Sequence, residues 1–468
     1  MKKNLLGLSI IWFVVSIALA ILLRDASELS HTILVVATTF SYFLCAYSWI
    51  KSGSRVVSIY TFFIAYAFLC NCVQSLLYIC GVPSEFLTSY MNISFLNITN
   101  ALRFQLICIA ALNIGTCYAL TSRKQRVSID QQITWYKSIS NVKTKNDKYL
   151  FYLMLVLLAG TFYTAIQIAK VRSTMTYHDW MYEGSSLVNT RFYFMYFFSF
   201  LSLRFVFRKQ HVLLIYASWL FFIVLFMMLG LRSQAIPYVT MFVITLPITH
   251  SGLFRKSLIP LWIVGLFFGV IFLGVISATR TNESVDLSSA STDQGAAVGF
   301  YSALADIGSS AKTIGNTMDL CDKGMPHYQS IIYSILVVIP ERVFKIPITN
   351  TLGVSEAITS PGSYVSHQLG TPGAGFSFVS EAYLNYGWFG WIFILLYGFL
   401  IARMENVAYK DFMQTGNLFK ITFLLYLAKQ IFYARGDLCL GEIYIEYMIF
   451  TAIIYKILKQ KGRLFSLS

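Results

Sequence analysis

The residues of this chain that could do chemistry fall into two sets. The first lies in one stretch, HQLGTPGAGFSFVSEAYLNYGWFGW, residues 367–391. It opens as a polar, Gly/Pro-rich loop and runs without interruption into an apolar segment that carries Glu381. Gly370, Gly373 and Gly375 supply a backbone that bends tightly and lets a ligand come close. A carboxylate inside an apolar span is costly and marks a functional position. The plainer reading of Glu381 is a helix cap or the partner of a nearby arginine. The second set is Arg172, Arg191, Arg232, Arg280, Arg342 and Arg435. A guanidinium keeps its charge and presents a planar fork that matches phosphate bidentately. Together these arginines suit an anion such as a phosphate or pyrophosphate headgroup, although any single one reads equally well as a snorkelling residue. Arg232 in GLRSQ and Arg435 in ARGD stand apart, because each sits in a short turn beside a small residue.

The elements that must position these groups are membrane helices. The chain has 468 residues, of which 57% are hydrophobic and only 12% charged, a balance foreign to soluble domains of this size. The aromatic share of 16% suits interfacial belts. About twelve apolar runs meet the length of roughly 20 residues that a span requires. They lie near 5–23, 31–50, 57–80, 99–121, 149–169, 191–207, 211–229, 234–250, 258–278, 376–401, 417–433 and 440–458. Lys2 and Lys3 before the first run look like a signal-peptide start, but the run is long and a second follows at once, so it is expected to stay as a span. The fold class predicted is an all-α polytopic membrane protein, one integral domain over 1–468, with a large extracytoplasmic loop at 278–375 carrying short interfacial helices. Within that loop the spacing predicts an amphipathic helix over 296–315 and a short apolar segment ended by Pro340.

Orientation follows from the loops. Alternate ones are rich in Lys and Arg, as at Lys51 and Arg55, Arg123 to Lys148, Arg208 and Lys209, Arg255 and Lys256, Arg403 and Lys410, and Lys456 to Arg463. This asymmetry places both termini in the cytoplasm. It also accounts for the net charge of +15 without nucleic acid. Used as a depth gauge, the topology puts Asn71, Gln74, Arg103, Gln105, Gln167, Arg280, Glu381, Lys429, Glu442 and Glu446 in or next to the outer leaflet. Polar groups there face a bundle interior or a wet cavity, so a site open to the outer side is expected. Some of them, such as Lys429 with Glu446, read also as structural pairs.

Several chemistries are missing. The cysteines show no CxxC and no zinc spacing. Most lie in apolar runs, and a Cys321–Cys439 bridge is not demanded by the spacing, so the thiols are expected to be dispensable. No Walker A loop, Rossmann fingerprint or Asp-x-Asp metal pair is present. No cofactor and no metal are therefore expected, and an energised leaving group would have to arrive on a lipid.

The order of features then becomes informative. A short outer turn holds Arg232, and a long outer loop carries Ile339–Pro340. The pattern G-x-G-x-S-x-x-x-E-x-Y-x-N-x-G follows from Gly373 to Gly387, and a late outer turn reads ARGD, Ala434–Asp437. This arrangement, across nearly the whole chain, resembles the bacterial O-antigen and related repeat-unit polymerases, the Wzy family. The resemblance implies a GT-C-like glycosyltransferase of the bacterial inner membrane. It would act at the periplasmic face on undecaprenyl-pyrophosphate-linked oligosaccharides as donor and acceptor, with membrane lipid around it and a chain-length regulator protein as a partner. On that reading the arginines stabilise the leaving pyrophosphate without a metal, a base takes the acceptor proton, and a single displacement inverts the anomeric carbon. The related O-antigen ligases use a histidine in their large outer loop, for which His367 and His327 are the counterparts here. A ligase-type glycosyltransferase or a flippase of lipid-linked oligosaccharide is the alternative. A flippase would show inverted repeats and a charged path through both leaflets, and the sequence has neither.

Overall fold

The computed structural model describes residues 2–54, 58–83, 87, 93–121, 147–174, 192–229, 361–368, 376–415 and 430–436, with parts of 235–249 and 301–331. Among the described residues the chain is helical, with no strand. The helices are α1 (Lys2–Leu22), α2 (Glu28–Lys51), α3 (Ile59–Asn71), α4 (Val73–Ile79), α5 (Phe95–Thr121), α6 (Asp147–Thr174), α7 (Phe192–Phe207), α8 (Val212–Met228), α9 (Ser310–Asp322), α10 (Pro361–Gln368), α11 (Phe378–Tyr386) and α12 (Gly390–Thr415). Short 3-10 turns cover Gly387–Phe389 and Gln430–Arg435. By length and composition five of the described helices can cross a membrane, or six if the bent pair α3 and α4 is one span. Each falls on an expected run. The runs expected near 258–278 and 440–458 lie outside the described residues, as does most of 417–433.

The chain forms two compact units. The first is Met1–Lys124, Thr292–Asn406 and Gln430–Glu446. Its centre is α5, which is apolar on all sides and buried nearly all round, as such a helix must be. α1, α2 and α9 pack on it. α1 instead turns Ile11, Val14 and Leu22 outward, a face suited to lipid. Where α5 meets α12 the backbones touch. A Cβ on Gly115 would run into the Leu395 carbonyl, and one on Gly398 into the Leu112 carbonyl. Small residues permit this approach in membrane bundles. Side-chain bonds tie the helices together: Asn113 donates to Ser9 Oγ at 3.0 Å, Gln105 to Tyr42 Oη at 3.0 Å, and Thr116 to Tyr60 Oη at 2.9 Å. The start of α3 is held twice. Ser58 Oγ accepts from the Thr61 N–H at 3.0 Å. The buried Glu405 carboxylate accepts from the Ile59 and Tyr60 N–H groups at 3.1 and 2.9 Å.

The second unit is Gln125–Ser291, Val407–Lys429 and Tyr447–Ser468. α6 packs on α7, and α7 on α8. Aromatic rings make the seam, with Phe222 against Phe162 at 4.9 Å and Phe198 at 6.2 Å. Gly160 leaves the space that the Phe194 ring fills.

Two elements depart from the sequence expectation. The span near 57–80 is broken at Cys72, where α3 and α4 bend by 53°. The helix expected over 296–315 is interrupted by a turn at Gly308 and Ser309, and α9 starts there and continues to Asp322. Both breaks belong to the same junction.

Candidate functional site

α11 begins where Ser377, in extended backbone, accepts the Val379 N–H on its Oγ at 3.1 Å, a conventional N-cap. It ends at Gly387, whose φ of +56° and ψ of −140° only glycine adopts readily. The apolar segment from 376 onward is thus not one continuous helix. It is the nine-residue α11, a 3-10 turn and then α12. Glu381 lies in the first turn of α11. Phe378, Val379, Ala382 and Tyr383 enter the core beside Phe63, Phe104 and Tyr433.

The remaining face of α11 carries Glu381, Leu384 and Asn385, one turn apart. His327 and the helical residues Ser330 and Ile331 lie against it. Ser330 donates to Glu381 Oε1 at 2.8 Å. Asn385 Nδ2 donates to Ser330 Oγ at 2.9 Å and to the Glu381 carbonyl at 2.7 Å, and its Oδ1 accepts the Ile331 N–H at 3.4 Å. The exposed His327 ring puts Nδ1 at 3.0 Å from the Leu384 carbonyl. A carbonyl only accepts, so Nδ1 carries the hydrogen and Nε2 the lone pair. Glu381, Ser330 and Asn385 are buried.

Arg435 lies at the end of the second 3-10 turn, half-buried, with Nη2 donating to Ser309 Oγ at 3.2 Å. The broken span meets it. Asn71 Nδ2 donates to the Ala434 carbonyl at 3.1 Å, and Gln74 Nε2 to the Ala305 carbonyl at 2.6 Å. Gly308 gives Gln74 its place, since a Cβ there would stand 2.9 Å from Gln74 Cγ. Irregular backbone at membrane depth is tolerated where protein surrounds it, and Asn71 and Gln74 are fully buried. α9 packs on α3 and on α11, and the Phe378 ring faces Tyr433 at 5.9 Å. Glu381 and Arg435 are therefore on neighbouring elements of one unit, with α9 against the carboxylate's helix and the Ser309 turn against the guanidinium.

The other expected residues are placed as follows. His367 lies in α10, with its side chain outside the described residues. Arg172 lies in the last turn of α6, in the second unit, and its side chain is likewise outside them. Arg191, Arg232, Arg280 and Arg342 lie outside the described residues, as do Lys429, Glu442, Glu446 and Cys439. Of the polar residues expected to converge, Asn71 and Gln74 join the Arg435 junction. Gln105 instead pairs with Tyr42, while Arg103 donates to the Ala20 carbonyl at 2.5 Å and lies over the Trp388 ring at 5.4 Å. Cys321 is a free thiol, pushed up to about 11 by burial and by the neighbouring Asp322 carboxylate. Among the described residues no cluster of three His, Cys, Asp or Glu side chains forms a metal-ligating group. The sequence reading passed over Ser309 and Ser330 and gave Asn385 no role. Asn385 carried a signal, four residues after Glu381 within the same pattern. The serines carried none, because only the fold brings them there.

No curated protein matches the chain, and no solved structure does. A family model described as O-antigen polysaccharide polymerase Wzy matches residues 6–461. With a helical, multi-pass architecture among the described residues and a family match over nearly its whole length, this chain belongs to the O-antigen polysaccharide polymerase family, Wzy.

Proposed function

We propose that the protein joins undecaprenyl-pyrophosphate-linked oligosaccharide repeat units into O-antigen or a related surface polysaccharide at the periplasmic face of the inner membrane. The observation that carries this reading is the family match over 6–461, which spans both the Glu381 motif and the Arg435 turn. The full bundle has about twelve spans, both termini are cytoplasmic, and 278–375 is the periplasmic loop. Arg232 and Arg435 grip the donor pyrophosphate, with Arg280, Arg191, Arg172 and Arg342 as further contributors. Their fixed charge stabilises the leaving group as the glycosidic bond breaks. Glu381 or His367 receives the proton of the attacking sugar hydroxyl. One displacement inverts the anomeric carbon, and no metal is needed because guanidinium groups carry the electrostatic load. A chain-length regulator works alongside.

Deletion of the gene tests the reading. A lost polymerase leaves single repeat units on the cell surface. Polymer retained on the carrier lipid would indicate a ligase instead, and a surface bare of units a flippase.

A further inference from the structure

The hydrogen bonds on α11 have a direction that the geometry forces. The Glu381 carbonyl can only accept, so the Asn385 nitrogen must face it, and the Ile331 N–H can only donate, so the Asn385 oxygen must face that. This settles the amide orientation. Asn385 then donates its second hydrogen to Ser330 Oγ, and Ser330 is left with one hydrogen, which it gives to Glu381 Oε1. The relay runs Asn385 to Ser330 to carboxylate, with each donor matched to an acceptor, and all three side chains are buried. Charge-assisted bonds in such surroundings are among the stronger ones. The same face of α11 holds the His327 ring through the Leu384 carbonyl.

We propose that Ser330 and Asn385 are positioning residues. They form a latch that holds Ser330 and Ile331 on α11, fixing the Glu381 carboxylate with Oε1 as an acceptor, next to the His327 ring that the Leu384 carbonyl holds. Neither residue touches substrate; both act through the groups they hold. The proposal rests on the polymerase reading, since it assigns the latch to the reaction that Glu381 serves.

The test uses the full-length protein with undecaprenyl-pyrophosphate-linked repeat units. Ser330→Thr keeps the hydroxyl, and Ser330→Val has the same shape without it. Expected are normal polymer from the Thr variant and a roughly 10- to 100-fold fall in kcat for the Val variant, the range that losing a hydrogen bond to a charged group implies. KM should stay unchanged, because the donor's anion is held elsewhere. In detergent, tryptic cutting after Lys323, which is largely exposed and lies shortly before Ser330, should accelerate by a similar factor in Val and not in Thr. Equal kinetics for Thr and Val, or a Val defect confined to KM, overturns the latch, as does an unchanged cutting rate. Should the Val variant fail to insert, Asn385→Asp carries the test. It keeps the size but removes the donor to Ser330 and adds a carboxylate beside Glu381, so polymer should be lost, and wild-type polymer refutes the idea. If the unaltered protein makes no polymer from these units, the functional reading fails, while the proteolysis arm still reports on the latch.

Discussion

A guanidinium, a carboxylate and an imidazole lie on neighbouring elements of the first unit, and each has partners that limit what it can do. Arg435 is half-buried, with Nη2 donating to the Ser309 hydroxyl. Arg435→Ala should abolish long polymer, with a cost of about 100- to 1000-fold in rate, and Arg435→Lys should recover only part of it, because charge without the fork is not enough. Glycan ladders at matched expression decide this, and wild-type ladders from both would remove Arg435 from the site. Gly387 is set by backbone geometry. Gly387→Ala should cost about 1–3 kcal/mol in thermal stability through its positive φ, and the new Cβ, 3.3 Å from His327 Nε2, should displace that ring. Cys321 gives a chemical readout. With its thiol held near 11, it should be alkylated at neutral pH roughly a hundredfold more slowly than an ordinary free thiol near 8.5, and the gap should close as pH rises toward 11. Rapid labelling at pH 7 would contradict the burial. Glu381 and Arg435 were legible in sequence because their types are out of place among apolar neighbours. Ser330 and Ser309 were not, because a serine stands out in neither setting and only the fold brings each to its partner.

Among the described residues, helices were readable where an apolar run was long, and their breaks were not. The bend between α3 and α4 comes with contacts to distant segments, at Ala434 and Ala305, and the stop at Gly387 rests on a single positive φ. A hydropathy pattern is blind to these. The same logic governs how α5 meets α12. Gly115→Val or Gly398→Val should destabilise the bundle by about 1–3 kcal/mol or more, as overpacking does. Gly7→Ala in α1, where nothing lies within 4 Å of the added carbon, should be nearly neutral. Melting of the detergent-solubilised variants compares them directly. Glu405 holds the start of α3 from the far end of the first unit. Glu405→Ala would strand two N–H groups at the start of α3, at roughly 1–3 kcal/mol each, whereas Glu405→Gln retains an acceptor and should do much less harm. Equal melting of the two would show that the α3 terminus finds other partners.

At the scale of the molecule, the repeated Lys/Arg asymmetry makes a simple prediction. Cysteines introduced as Asp130→Cys or Gly462→Cys should be shielded from an impermeant thiol reagent in whole cells, and Ala290→Cys should be labelled. The reverse pattern inverts the topology. Chelator treatment should leave chain growth by the purified protein intact, and loss reversed by magnesium or manganese would refute the metal-free mechanism. The bonds that close the first unit also impose a schedule on biosynthesis. Glu405 caps helix starts 346 and 345 residues behind it, and Ala434 receives Asn71 from 363 residues behind. At about 5–20 residues per second the ribosome needs roughly 20–70 s to make up such a distance. For that interval the early helices stand in the bilayer with buried-to-be amides and carbonyls unanswered. A nascent chain halted before Glu405 is therefore an orphan client for membrane quality control, and the last third of the protein acts as the key that lets the first third stop being one.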